Sequence, residues 1–211
     1  MTILEEIRRS IELGRSKDTE RLVLSALEQK VDPNRILDVG MIPAMRNVGE
    51  DYKKNMADIP RILTAARSMR KGLDLLEEQL GHDAIPFVGT IILGTVEGDL
   101  HDMGKNLVAI MFRSAGFKVI DLGVDVSEKQ FIKALKANPE VSIVCISSLL
   151  STTMPGMRNV VKSIRKIDKK KRLKIMVGGG SVTEEFANEI GADAYTDNAV
   201  DAAEMAKTFL I

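Results

Sequence analysis

From residue 2 to about residue 80, apolar positions recur every three or four residues, the spacing that puts them on one face of a helix. Ile3, Leu4, Ile7 and Ile11 mark a first helix, which Gly14 ends. Asp18 is placed to cap a second, with Leu22, Val23, Ala26 and Leu27 on its inner face. Asp32-Pro33 opens a third, because proline suits a first helical turn. Ile36, Leu37, Val39, Met41 and Ile42 form its stripe; Pro43 is expected to kink it before Met45 and Val48 continue it. A fourth starts at Asp58 or Ile59-Pro60 and carries Ile62, Leu63, Ala66, Met69, Leu73 and Leu76. Four amphipathic helices with short connections predict a bundle over residues 1–80.

Gly81-His82-Asp83-Ala84-Ile85-Pro86 breaks this period and reads as a linker, with His82 among turn formers. Residues 87–211 then change character. Short β-branched runs predict strands at Val88–Leu93, Lys118–Asp121, Ser142–Ser147, Lys174–Val177 and Asp193–Tyr195. Between and after them, helical spacing predicts Gly104–Ala115, Ser127–Ala137, Pro155–Ile167, Thr183–Ile190 and Ala199–Leu210. Regular strand–helix alternation predicts an α/β domain with a five-stranded parallel sheet, in the flavodoxin-like order 2-1-3-4-5. Lys169-Lys170-Lys171-Arg172 falls between elements as a solvated connection.

In that order the ligand crevice opens where the loops after strands 1 and 3 diverge, at the carboxyl edge of the sheet. Strand 1 delivers Asp99, His101 and Asp102 there, and His101 is one of only two histidines in the chain. An imidazole whose other nitrogen is held by a carboxylate is a good ligand for a transition metal. The same triplet also reads as a solvated loop beside a helix-capping aspartate. Strand 3 delivers the hydroxyl-rich run Ser147-Ser148-Leu149-Leu150-Ser151-Thr152-Thr153, and strand 4 delivers Gly178-Gly179-Gly180-Ser181. Taken singly, these are a helix cap before Pro155 and a plain turn. Together on one edge they surround the His-Asp pair. There is no GxGxxG and no GxxxxGK[ST], which disfavours the usual nucleotide cofactors. One histidine is too few ligands for a protein-only zinc site, so the pattern suits a large ligand that brings its own metal.

Composition narrows the field. Lysine plus arginine and aspartate plus glutamate balance at 30 each, leaving no basic field for nucleic acid or an anionic membrane. The one cysteine, Cys145, lies in the apolar run VSIVCIS and reads as a buried, inert thiol. No apolar run is long enough to span a bilayer, and MTILEEIRRSIELG does not read as a signal peptide, so a cytoplasmic location is expected. Tryptophan is absent and aromatics are few, against base-stacking platforms or sugar sites.

Asp99-Leu100-His101-Asp102-Met103-Gly104 resembles the D-x-H-x-x-G signature of cobalamin-binding domains. Ser147-Ser148-Leu149 matches that family's S-x-L element and Gly178-Gly179 its downstream GG. Almost the whole chain resembles the small corrinoid proteins of methylamine, methanol and O-demethylase methyltransferase systems, and the corrinoid module of methionine synthase. The resemblance implies one cobalamin or related corrinoid per chain, bound base-off and His-on, with His101 as axial ligand to cobalt. It implies that Asp99 hydrogen-bonds the imidazole and Thr153 extends that relay. It also implies that Ser147, Leu149 and Ser151 line a channel for the cofactor's nucleotide, that Gly178, Gly179 and Gly180 make room for it, and that Tyr195 and Thr196 close around its end. Leu100, Asp102 and Gly104 belong to the same cofactor loop.

The implied function is a methyl carrier, not catalytic alone: cobalt(I) accepts a methyl group from a substrate-specific methyltransferase and passes it as methyl-cobalt(III) to a folate or thiol methyltransferase, with a reductive activator as third partner. The helical cap is expected to cover the upper cobalt face and to move about the 81–86 linker. In the cap, Val48-Gly49-Glu50 and Ile59-Pro60 follow the family, whereas its usual Phe-Leu-Pro appears as Asp58-Ile59-Pro60. Ile59, Leu63 and Met69 are candidates to shield cobalt, or else simply core residues. Rival readings are a cobalamin-dependent regulator or sensor, an isomerase's cobalamin domain, and a flavodoxin-like FMN protein. The first generally has a helix-turn-helix ahead of the cap, the second lacks a cap, and the third leaves His101 unexplained.

Overall fold

Thr2 starts the first helix through a reciprocal cap: its hydroxyl accepts the Glu5 amide hydrogen at 3.3 Å, and the Glu5 carboxylate accepts that of Thr2 at 2.7 Å. The computed structural model describes residues 1–54, 58–80, 87–170 and 172–210. The chain divides into two compact units, Met1–Pro86 and Phe87–Ile211. The expected linker and hinge at 81–86, with His82, lies outside the described residues.

The first unit is helical. It comprises α1 (Ile3–Glu12), α2 (Ser16–Glu28), α3 (Pro33–Arg35), α4 (Ile42–Lys54) and α5 (Ile59–Leu80). Asp18 does not cap α2: Arg15 holds the cap position, and Asp18 lies inside the first turn, where a carboxylate complements the helix dipole. Asp32 does cap α3, accepting the Asn34 amide hydrogen at 2.9 Å. The kink expected at Pro43 takes the form of a π-helical stretch, Ile36–Met41, joining α3 to α4. Its cause is a missing donor. Pro43 has no N–H for the Val39 carbonyl four residues back, and the Arg8 guanidinium supplies one at 2.7 Å. Met69 is buried, while Ile59 and Leu63 are exposed.

The second unit alternates strictly: β1 (Thr90–Thr95), α6 (Met103–Ser114), β2 (Lys118–Asp121), α7 (Glu128–Ala137), β3 (Val141–Ser147), α8 (Met154–Ile167), β4 (Lys174–Gly178), α9 (Glu184–Ile190), β5 (Ala194–Tyr195) and α10 (Ala199–Thr208). The five strands form one parallel sheet in the order β2-β1-β3-β4-β5, the expected doubly wound order. β1 starts and ends two residues later than its apolar run suggests. Val88 is exposed, whereas Gly94 and Thr95 are inside, and a side chain at Gly94 would collide with the Phe131 ring.

Helices α7, α8 and α9 cover one face of the sheet, where Ile92, Phe131, Val144, Met157, Val161 and Ile175 form a continuous core. α6 and α10 pack together, and Phe112 and Phe117 meet edge to face at 6.0 Å. Cys145 is buried, as its apolar surroundings imply, and burial pushes its thiol up to about 12. Among the described residues no helix is long and apolar enough to cross a membrane.

Register fixes where the loops emerge. Thr95 at the end of β1 lies opposite Ser147 at the end of β3, and Ser147 lies opposite Gly178 at the end of β4. The three strands therefore release their loops at one level. At that edge Gly179 adopts φ +118°, and a Cβ there would lie 2.0 Å from the Ser148 carbonyl oxygen. Gly191 also has a left-handed φ of +79°, but nothing within 4 Å of its would-be Cβ. Gly191→Ala is expected to cost about 1–2 kcal/mol from backbone conformation alone. Gly179→Ala should cost distinctly more in urea denaturation, since the β3 loop must also move. Equal costs would contradict this packing.

Candidate functional site

The β1–α6 loop is pinned before any ligand is considered. The Thr95 hydroxyl donates to the His101 carbonyl at 3.1 Å. Asp125, from the β2–α7 loop, accepts the Gly98 amide hydrogen at 2.7 Å and donates its own to the Asp99 carbonyl at 3.1 Å. Asp125 does this from a left-handed backbone, φ +54°, which an aspartate tolerates better than most residues. The pattern-based reading did not single it out, and its position in the turn Gly123-Val124-Asp125 is the only trace it leaves in the sequence.

Asp99 is wholly buried. Its Oδ1 lies 2.7 Å from His101 Nδ1 and accepts the His101 amide hydrogen at 3.0 Å. Its Oδ2 accepts amide hydrogens from Leu149 at 2.7 Å and Leu150 at 3.3 Å, and stands 3.5 Å from the Thr153 hydroxyl. Burial alone pushes the carboxyl up. The amides of His101 and Leu149, the His101 ring and the Leu150 amide outweigh it and hold the group at about 2. Asp99 is therefore a buried anion at neutral pH. It fixes the imidazole through Nδ1 and leaves Nε2 as the ring's free valence, on a side chain that is 53% exposed.

Asp102, the other flanking carboxylate, does not touch the imidazole. It occupies the N-cap of α6 without a side-chain cap bond and accepts from the Asn106 side chain at 3.0 Å. Lys105 anchors the start of α6 from within: its buried ammonium donates to both Asp121 oxygens, at 2.8 and 2.7 Å, and to Asn106 at 2.8 Å. The sequence reading missed this pair, because a lysine on a helix looks like a solvated one. At Gly104 a Cβ would meet nothing within 4 Å, so local packing does not demand glycine.

Around His101 lies an unusual surface. Leu100 is 72% exposed and Met103 77% exposed, and Leu149 and Leu150 are also exposed. Two of these flank His101 in its loop and two sit on the residues whose amides hold Asp99, so exposed apolar side chains border this edge and suit a flat, largely apolar ligand. Among the described residues no three His, Cys, Asp or Glu side chains gather to hold a bare metal ion. The donor set thus fits a group that carries its own metal and lacks one axial ligand.

The remaining predicted residues fall along the same edge. Thr153 reaches Asp99 as above, and Ser151 begins the 3-10 turn Ser151–Thr153. Ser147 ends β3 beside Gly178. The close backbone approach at Gly179 is made by the protein's own Ser148, and a Cβ on Gly180 would run into the Leu149 side chain. The Ser181 hydroxyl donates to the Leu149 carbonyl. Tyr195 on β5 pairs with Val177, three strands along the sheet from β1, and its hydroxyl donates to Asp197 at 2.8 Å; this bond raises its pKa. The Thr196 carbonyl stands beside Gly178. Asp99, His101, Leu149 and Thr153 thus form one contact network, with Gly179 and Gly180 against it and Tyr195 and Thr196 at its far side.

B12 binding domain models match residues 89–204 and residues 3–77. Dimethylamine corrinoid protein 3 of Methanosarcina acetivorans is 38% identical over 90% of this chain and 90% of its own. A chain of the methanol:cobalamin methyltransferase complex MtaBC from Methanosarcina barkeri superposes with a TM-score of 0.89 at 26% identity, covering 99% of this chain and 79% of that one. A cobalamin-binding protein from Desulfitobacterium hafniense superposes with a TM-score of 0.81 at 26% identity over 99% of both. The chain belongs to the B12-binding family, alongside the methylamine corrinoid proteins.

Proposed function

We propose that this chain is the corrinoid-carrying component of a methylamine-type methyltransferase system. One observation carries the reading: a half-exposed imidazole whose Nδ1 is held at 2.7 Å by a buried carboxylate, on loops that carry four exposed apolar side chains. When bound, the corrinoid supplies a cobalt that accepts a methyl group and gives it up again. His101 would bind the metal through Nε2 in place of the cofactor's own lower base. Asp99 orients the ring, fixes its tautomer and raises its basicity. Leu100, Met103, Leu149 and Leu150 would offer the cofactor an apolar seat and help exclude water there. Ser147, Ser151, Gly178 to Gly180, Tyr195 and Thr196 would line the path of the nucleotide tail. The methyl donor and acceptor would be chosen by partners: a substrate-specific methyltransferase and a methylcorrinoid-dependent one acting on a folate or a thiol, with a reductive activator. Support for such partners is the MtaBC match, a corrinoid-type chain solved with its methyltransferase.

Purified protein mixed with hydroxocobalamin is expected to retain about one corrinoid per chain through desalting, as a single-imidazole site implies. His101→Ala should lose the visible spectrum of axial imidazole ligation. A colourless wild-type eluate would overturn the assignment.

Asp99→Asn separates the carboxylate from the fold. An amide neither carries the charge that raises the imidazole's basicity nor accepts every amide hydrogen that Asp99 accepts, so corrinoid affinity or activity should fall about 10–100-fold. The free protein should show the charge directly. The carboxyl is depressed from 3.8 to about 2, so its contribution is full above the unfolded value and is lost as pH falls through the folded one. A shift of that size is worth about 2 kcal/mol. Urea denaturation between about pH 5 and pH 2 should therefore cost wild type about 2 kcal/mol more than Asp99→Asn. Parallel stability curves would show that Asp99 is not the buried anion described.

A further inference from the structure

Ser148 is fully buried, and the S-x-L pattern leaves its position open. Its Oγ lies 2.7 Å from Thr153 Oγ1. Two hydroxyl oxygens this close need a hydrogen between them, and each hydroxyl has only one to give. Two further acceptors compete. The Leu150 carbonyl is 2.9 Å from Thr153 Oγ1 and 3.2 Å from Ser148 Oγ; Asp99 Oδ2 is 3.5 Å from Thr153 Oγ1.

Only two chains of donors satisfy the short contact and reach an acceptor outside the pair. In one, Thr153 donates to Ser148 and Ser148 to the Leu150 carbonyl, which leaves Asp99 without a hydroxyl. In the other, Ser148 donates to Thr153, and Thr153 is free to donate outward. The Leu150 carbonyl already accepts the Thr153 amide hydrogen at 3.1 Å, whereas Asp99 is a buried anion. An ionised acceptor holds a hydroxyl hydrogen more strongly than a carbonyl already engaged, and successive hydroxyls in a chain strengthen one another.

We propose that Ser148 is a positioning residue: by donating to Thr153 it strengthens the Thr153 hydrogen bond to Asp99 Oδ2 and so sets how much charge Asp99 presents to His101. Each donor added at Oδ2 draws charge from Oδ1 and loosens its hold on the imidazole N–H. Without Ser148, the Thr153 hydroxyl loses the donor that polarises it, its hydrogen bond to Asp99 Oδ2 weakens, and Asp99 grips His101 harder. The consequence at cobalt rests on the corrinoid reading, but the hydroxyl chain belongs to the free protein and is testable there.

The test follows the His101 Nδ1 proton by NMR in the full chain without cofactor, labelled in histidine and assigned by comparison with His101→Gln. Ser148→Ala and Thr153→Ala should each move this resonance downfield, the mark of a stronger hydrogen bond to Asp99. The double variant should move it no further than Thr153→Ala alone. Ser148→Cys, with its weak thiol donor, should give a smaller shift of the same sign, and serves if Ser148→Ala does not fold. An unmoved or upfield-shifted resonance in Ser148→Ala would mean the chain runs the other way, and would overturn the inference. Retention of hydroxocobalamin by the wild type is read separately: its failure would remove the corrinoid assignment without altering these shifts.

Discussion

The whole functional edge depends on keeping one carboxylate charged where water cannot reach it. A buried, unpaired carboxylate would take up a proton rather than stay ionised. Asp99 stays ionised because donors converge on it from two chain segments 50 residues apart, the β1–α6 loop and the start of the β3–α8 loop. The parallel register that sets Thr95 opposite Ser147 brings them to the same level, so sheet topology and site electrostatics are one constraint. Disturbing either loop would expose the charge or orphan the amides.

That constraint also explains the rigidity around it. Asp125 in its left-handed turn, the Thr95 hydroxyl and the Lys105–Asp121 pair each hold the β1–α6 loop from a different side. Gly179 lets the Ser148 carbonyl approach closely, so the β3 loop can lie against the end of β4. Metal ligands work best when their orientation is settled before the metal arrives. Here the imidazole is settled by the protein alone, and the exposed apolar rim is the part left unsatisfied.

Much of this was legible in the sequence. Strict alternation of β-branched runs and helical stripes after Phe87 carried the fold, because parallel strands buried on both faces leave continuous apolar runs. The strand-end position of Asp99 and His101 carried the site. Other features were hidden for physical reasons. Asp125 and Ser148 act through backbone geometry and hydroxyl direction, which residue type alone does not reveal. Lys105 reads as solvent-facing until its partner Asp121, 16 residues away, is brought beside it. Asp18 misled because a helix can begin without a side-chain cap, as α2 does at Arg15. At Pro43, the sequence implied an orphaned carbonyl but not that Arg8, 31 residues earlier than Val39, would satisfy it.

The central claim is that His101 binds the metal of a bound corrinoid through one nitrogen. Electron paramagnetic resonance of the loaded protein in its cobalt(II) state tests this most directly. A single axial nitrogen splits each cobalt line into a triplet, which should become a doublet when histidine alone carries nitrogen-15. The doublet should vanish in His101→Ala. A triplet that persists in the histidine-labelled protein would mean that the cofactor keeps its own lower base, and would contradict the account.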